Sequence, residues 1–191
     1  MGQHPRRVRD RRQGAGPNEK GQGLVEFALT LPIFVLLLMG VLEFGFLYNS
    51  ILTIQFASRQ GVSAAAQAGA IDGADCAILR AVERALTTPI DKSRISAVEI
   101  FQSDASGGVT PGRINRYVRS GVLSCDSGPD EPYSLVGTEG YPQVDRHDAL
   151  AETLDVIGVR IEYTYAGFTP VGAGRTWVVS DGATLRMEPK Q

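Results

Sequence analysis

An uninterrupted apolar run near the N-terminus constrains this chain more than any other feature. Between Phe27 and Leu42 there are 16 residues without a charged side chain. At 1.5 Å per residue, an α-helix over this run is about 24 Å long, which is most of the apolar thickness of a bilayer. The run therefore predicts one membrane-spanning helix. Pro32 lies inside it and removes a backbone hydrogen bond to the carbonyl of Ala28, so we expect a kink there.

The residues before this run are polar and basic. Up to Lys20 the chain has six basic and two acidic side chains, a net charge of +4. The whole chain carries −2, so residues 21–191 carry −6. A basic cluster beside a single apolar helix stays on the cytoplasmic side, which places the rest of the chain outside. Nucleic-acid binding is the alternative for an arginine-rich arm, but this arm is short and lacks aromatic residues, so we expect no nucleic-acid partner.

A secretory signal peptide and a plain membrane anchor are the two alternative explanations of the apolar helix, and neither accounts for all of its features. A secretory signal peptide is followed closely by a small-residue cleavage site, whereas Ala66-Gln67-Ala68 lies more than 20 residues beyond the run. A plain membrane anchor accounts for the basic flank, but gives no reason for Glu26 and Glu43 at the two ends. These glutamates are 17 residues apart. That is about 25 Å along a helix, so both can lie close to the membrane interfaces.

The helix is expected to continue outward to about Gly69, because apolar and small residues recur there at three- and four-residue steps. A second, shorter helix is predicted from Asp75, as its cap, to about Leu86. Cys76, Leu79 and Val82 share one face of this helix.

Alternating apolar residues predict strands at Ile95–Phe101 and Val156–Tyr165. Trp177–Val179 and Thr184–Met187 flank Ser180-Asp181-Gly182, where Asp-Gly favours a tight hairpin turn. Residues 103–153 are rich in Gly, Ser, Pro and Asp, so we expect loops there, apart from a short strand near Tyr117. The elements together predict an α+β fold in which the long N-terminal helix packs on a small, mainly antiparallel sheet.

No arrangement of side chains in the sequence indicates catalysis or metal binding. Cys125 and His147 have no surrounding motif of a thiol enzyme. Acidic residues between positions 126 and 148 lack the D-x-D-x-D-G spacing of a calcium loop, so a solvated loop is expected, with calcium binding as the alternative. We therefore expect no enzyme activity, no metal, no cofactor and no small-molecule substrate.

The two cysteines, Cys76 and Cys125, both lie beyond the membrane helix. An oxidising compartment permits one disulfide between them, and two buried free thiols are the alternative.

The residues around the apolar run resemble the TadE-like proteins, pseudopilin-type minor components of tight-adherence (Flp-type) pilus systems. The resemblance is carried by Gly21, Glu26, the FAL-x-LP run from Phe27 to Pro32 and the EFG from Glu43 to Gly45. The ending Leu185-Arg186-Met187-Glu188 is also similar to many members. The resemblance to this family implies a pilin-like fold.

The resemblance also implies that a membrane prepilin peptidase cuts this chain between Gly21 and Gln22, which leaves Glu26 as the fifth mature residue. A cut after Gly23 would make Glu26 the third residue and break the spacing of the family. The implied organisation is a basic cytoplasmic leader (1–21, removed), a transmembrane and amphipathic helix (22–70) and an extracytoplasmic α+β domain (71–191). The protein would be a single-pass protein of the cytoplasmic membrane.

The function implied is that of a minor pilin or pseudopilin that helps to assemble or prime a tight-adherence pilus or secretion filament. In pilins the glutamate sets the axial register by pairing with the new amino group of a neighbouring subunit, here Glu26 with Gln22. The implied partners are the membrane, the prepilin peptidase, the major Flp-type pilin, other minor pilins and the pilus assembly platform. The alternative is a membrane-anchored extracytoplasmic binding or adhesion module. The metal-dependent adhesion site of a larger relative is not expected, because Asp104-Ala105-Ser106 has only the start of its motif.

Overall fold

A long helix and a five-stranded antiparallel sheet form the fold of this chain. The computed structural model describes residues 19–119, 133–149, 154–170 and 172–189. The helices are α1 (Glu19–Ala68) and α2 (Ala74–Ala85). The strands are β1 (Ile95–Ser103), β2 (Val109–Arg119), β3 (Tyr133–Val136), β4 (Val156–Ala166) and β5 (Thr176–Arg186), in the spatial order β3-β2-β1-β4-β5. The predicted α+β fold, with the long helix on a small antiparallel sheet, is confirmed.

The second half of α1 packs on one face of the sheet, beside α2. On its predicted apolar face, Ile54, Ser58 and Ala65 are wholly inaccessible to solvent. Gly61 allows the close approach, because a β-carbon there would lie 2.7 Å from Val82 of α2 and 3.0 Å from Val159 of β4. A single small residue therefore lets α1 contact the second helix and the sheet at the same level.

The hairpin predicted at Ser180-Asp181-Gly182 is wrong. These residues lie inside β5, which pairs with β4 along its whole length, including Ile161 with Asp181 and Arg160 with Gly182. Ser58 of α1 donates a hydrogen bond of 3.1 Å to the Asp181 carboxylate. Asp181 favours a turn in an isolated peptide. Here α1 binds its carboxylate, and β5 continues through this position.

The expectation of loops across residues 103–153 is wrong in part. The strand near Tyr117 is the eleven-residue β2, and β3 follows at Tyr133–Val136. β2 carries Pro111 and Gly112 at its exposed end, and such residues hide a strand from a search based on alternation. Its pairing with β1, such as Tyr117 with Val98, supplies the hydrogen bonds that its local sequence does not predict.

Asp75 does not cap α2, contrary to prediction. Gly73 occupies the cap position with a positive φ of 79°, and no side chain caps the helix. The Asp75 carboxylate is instead buried, where it pairs with Arg146 and accepts hydrogen bonds from Asn115 and Tyr117. Desolvation is costly for a lone carboxylate, so this surrounding set of donors is what keeps it in the core.

Candidate functional site

The N-terminal helix presents its apolar side chains to the surroundings. It is the one helix among the described residues that is long and apolar enough to cross a membrane, with its candidate span at Gly21–Ala68. Every residue from Gly21 to Phe34 is exposed. Side chains such as Leu24, Phe27 and Leu37 are each more than half accessible. An exposed apolar surface of this kind is compatible with contact to lipid.

The predicted processing and register residues lie on the first turns of α1. Gly21 is exposed, and in the described part of the chain no atom beyond its neighbours and the helix backbone lies within 4 Å of the position that a β-carbon would take there. The side-chain amide of Gln22 donates a hydrogen bond of 3.3 Å to the Glu26 carboxylate, one turn further along the same helix. The structure thus brings Gln22 and Glu26 together on one exposed face.

The other predicted site residues have mixed outcomes. Pro32 lies inside α1, and the helix continues through it; the kink stays a prediction. Cys76 lies on α2 with its side chain against the core. Cys125 lies outside the described residues, so the disulfide also stays a prediction.

Glu43 binds the loop that joins β4 to β5 (residues 167–175) onto α1. One carboxylate oxygen accepts a hydrogen bond from the Tyr165 hydroxyl at 2.9 Å, and the other accepts one from the Thr169 amide at 2.8 Å. The Phe168 amide lies 3.1 Å from both oxygens. Only 7 % of the residue is exposed. We call this arrangement the Glu43 clamp; it fixes the domain at the level where the uncharged run ends.

Two glycines make the Glu43 clamp possible. A β-carbon at Gly172 would lie 2.7 Å from the Glu43 carboxyl carbon, and one at Gly167 would lie 2.1 Å from the carbonyl oxygen of Gly172. Burial, together with the hydrogen bond to Glu43, raises the pKa of the Tyr165 hydroxyl to about 12. Tyr165 therefore stays a neutral donor to the carboxylate at any physiological pH.

Further polar contacts hold the outer half of α1 against the domain. Besides the bond from Ser58 to Asp181, the Glu188 amide donates to the Ala66 carbonyl at 3.1 Å. The Ala70 amide, just after the helix, donates to the Asp148 carboxylate at 2.9 Å. These contacts join the middle and the end of this half of α1 to the domain, in addition to the Glu43 clamp at its start.

A row of exposed apolar side chains continues along α1 beyond the uncharged run. It consists of Phe44, Tyr48, Leu52 and Phe56, which are 72 %, 61 %, 45 % and 55 % exposed. We call this row the outer ridge. Its four-residue spacing is that of the ridges by which helices pack against one another. The spacing is visible in the sequence and is the signal by which the outer ridge could have been found.

The acidic side chains between 126 and 148 form no metal site in the part of the chain that the structure describes, where no group of three or more possible ligands is found. Asp145 pairs with Arg113 at 2.8 Å, and Asp148 binds the backbone after α1. His147 lies beside Asp155 at 3.5 Å. Asp126, Asp130 and Glu131 lie outside the described residues.

Sequence reasoning placed Glu43 at an interface but missed its partners, Tyr165, Phe168 and Thr169. No local pattern signals them, because two of the bonds come from backbone amides more than 120 residues away.

Glu43→Gln is expected to loosen the loop at residues 167–175. A glutamine would turn an amide donor toward the donors of the loop, and each buried donor left unpaired costs about 1–3 kcal/mol. Amide hydrogen exchange at Phe168 and Thr169, measured on the detergent-solubilised full chain, should speed up by about tenfold or more, corresponding to at least about 1.4 kcal/mol. Tyr165→Phe removes one donor and should have a smaller effect.

The same substitution at Glu26 is the matched control for the Glu43 clamp, since that carboxylate is exposed and bonds only Gln22 among the described residues. Equal exchange rates at Thr169 in the parent and the Glu43→Gln protein would contradict the clamp.

Comparison with known families supports the N-terminal resemblance. The model of the family described as TadE-like protein matches residues 21–70. This segment includes Gly21, Glu26, Pro32 and the Glu43-Phe44-Gly45 motif, so the resemblance noted in the sequence is confirmed over it. No curated protein and no solved structure matches the chain.

Proposed function

We propose that this protein is a minor pilin or pseudopilin that helps to assemble or prime a tight-adherence pilus or a related secretion filament. The TadE-like match over residues 21–70 associates the chain with that pilus system. The more specific proposal, a minor pilin or pseudopilin, depends on α1, because the exposed apolar surface of this helix is longer than is needed to cross a membrane.

The length of the exposed apolar surface is the observation that carries the proposal. Exposed apolar side chains follow α1 from Leu24 to Phe56, which is about 48 Å along a helix. The hydrocarbon core of a bilayer is about 30 Å thick, so roughly 18 Å of this surface lies outside lipid. A surface of that kind marks a contact with another protein, and the helix of a neighbouring subunit has the matching shape.

Processing and orientation complete the proposal. Residues 1–21 are a cytoplasmic leader that a prepilin peptidase removes, and residues 22–70 anchor the mature protein in the cytoplasmic membrane. Residues 71–191 lie outside, because the basic leader stays in the cytoplasm. The partners are the peptidase, the major Flp-type pilin, other minor pilins and the assembly platform.

Phe56→Gln tests the role of the outer ridge. The ring is 55 % exposed, so its loss should leave the domain folded. If the ring packs against a neighbouring helix, removing it costs about 2 kcal/mol per contact, or roughly 30-fold in association. We expect filament production, quantified from sheared surface fractions, to fall at least tenfold with normal protein levels.

Val178→Gln is the control, because Val178 is an apolar residue on β5 that is 74 % exposed. It should leave filament production unchanged. Full assembly by the Phe56→Gln protein, with loss of surface binding instead, would favour the alternative of a membrane-anchored adhesion module.

A further inference from the structure

One end of the sheet lies at the level where α1 leaves its uncharged run. The Glu43 clamp holds the β4–β5 loop there. β1 begins at Ile95, which pairs with Tyr163 near the same end of β4. The connector between α2 and β1 (residues 86–94) therefore reaches this end too. We call the connector and the β4–β5 loop together the basal face of the domain.

The basal face exposes an aromatic side chain to its surroundings. Phe168 is 77 % exposed, although its backbone is fixed by the clamp. Its ring lies against Phe46 of α1, with the ring centres 5.2 Å apart. Beside this pair is a cleft of about 350 Å³, whose lining includes Pro89, Tyr165 and Arg94. An exposed phenylalanine ring held next to a membrane helix can insert its apolar face into the boundary between headgroups and lipid chains.

Two arginines lie beside this aromatic pair: Arg94 lines the same cleft, and the Arg175 carbonyl accepts a hydrogen bond from the Gly167 amide. Arg94 is 43 % exposed and pairs with Asp91 at 3.1 Å, while Arg175 is exposed and forms no ion pair with any residue that the structure describes. Lys92 and Arg119 pair with Glu83 at 3.2 and 3.0 Å. Glu83 is therefore already paired, and Arg94 and Arg175 are the exposed cations next to the two rings.

From this arrangement we propose that the basal face rests on the surface of the bilayer that α1 crosses, with Phe168 in the interfacial layer and Arg94 and Arg175 against lipid phosphate groups. The outer ridge stays free on α1 for a neighbouring subunit. The inference requires only that α1 spans a membrane, and it is independent of the role in pilus assembly.

The membrane is favoured over a second copy of the chain as the occupant of the basal face. Phe46 lies only three residues beyond Glu43, about 5 Å along the helix, and this is the depth of the headgroup layer. Arginine and an aromatic ring side by side match that layer, which is anionic on its phosphates and apolar beneath. The bilayer is also present wherever α1 is inserted, at any protein concentration.

The test uses a single tryptophan as a depth probe in the full chain. Trp177→Phe removes the only native tryptophan, and Phe168→Trp introduces a new one in the basal face. The protein is reconstituted in vesicles whose lipid chains carry bromine, a short-range quencher. We expect the emission of the Phe168→Trp probe to be strongly quenched. Val144→Trp is the matched control. Val144 is 86 % exposed and lines a cleft with Ala70 and Asp72, just after α1 ends. The helix runs about 38 Å from Glu43 to that end, so this probe should not be quenched.

A charge test accompanies the depth test. Arg94→Gln and Arg175→Gln are each introduced into the protein that carries the Phe168→Trp probe. In vesicles with anionic lipid, each should lower the equilibrium constant between the membrane-bound and the free basal face about fivefold, seen as weaker quenching. The effect should be smaller in zwitterionic vesicles. Arg59→Gln, an exposed arginine higher on α1, is the control and should change nothing. Equal quenching of the two probes would overturn the proposal. Quenching that appears only at high protein density would overturn it as well, because the basal face would then be a contact between copies.

Discussion

Glu26→Gln is expected to abolish filament production while membrane insertion and leader removal stay normal. The Glu26 carboxylate is exposed at the start of α1, beside the Gln22 side chain. If the leader is removed as we propose, the new amino group of Gln22 on a neighbouring subunit would be a positive partner for it in a lipid environment. Removing one member of a desolvated ion pair costs about 3–5 kcal/mol, which is at least 100-fold in association for each contact. Glutamine keeps the size of the side chain and loses the charge.

The assay for Glu26 compares surface filaments with the amount of processed protein in the same membranes. Glu26→Asp keeps the charge on a shorter side chain and should give an intermediate yield. The competing explanation is that Glu26 merely marks the membrane interface and reaches to the headgroups. Normal filaments from the Glu26→Gln protein would support that explanation and eliminate the register role.

Gly21→Val should block removal of the leader completely. The peptidase site implied by the family resemblance is shaped for glycine, and a branched side chain at the junction cannot enter it. Gly21→Ala should be cut only slightly. The substitution is a clean probe, since among the described residues no atom outside the adjacent residues and the helix backbone lies within 4 Å of a β-carbon at position 21. N-terminal sequencing of the membrane-extracted protein should find Gln22 first in the parent and an intact leader in the variant.

Gly23→Val is the matched control for this junction, because position 23 is equally open on the same helix. It should be processed normally after Gly21. If Gly23→Val blocked cleavage and Gly21→Val did not, the junction would lie between Gly23 and Leu24. An intact N-terminus on the parent protein, in cells with an active prepilin peptidase, would refute processing altogether.

A strand could be predicted from the sequence where apolar and other residues alternate without interruption. β4 follows strict alternation from Ile157 to Tyr165, since one face of the strand is buried against α1. β2 was largely missed, because Pro111 and Gly112 interrupt its pattern and only Tyr117 and its neighbours resemble a strand. Its extent depends on pairing with β1, a contact between segments distant in sequence.

The candidate site likewise has one part that depends on local sequence and another that depends on contacts between distant segments. Gly21, Gln22, Glu26 and the outer ridge follow from spacing on one continuous helix, whose geometry is the same in any environment. The Glu43 clamp and the basal face depend on a loop more than 120 residues away, and no local pattern contains that information.

The sequence alone determined the long helix, its apolar first half and the buried face of its second half, because helix periodicity and hydrophobic length are local properties. The tertiary structure decided how polar residues are used. Asp75 became a buried partner of Arg146 and not a helix cap, and Asp181 stayed in a strand because Ser58 binds it. Glu43 became the clamp of the domain. The physical reason is that a polar group can satisfy its hydrogen bonds locally or at long range, and only the folded chain determines which partners are within reach.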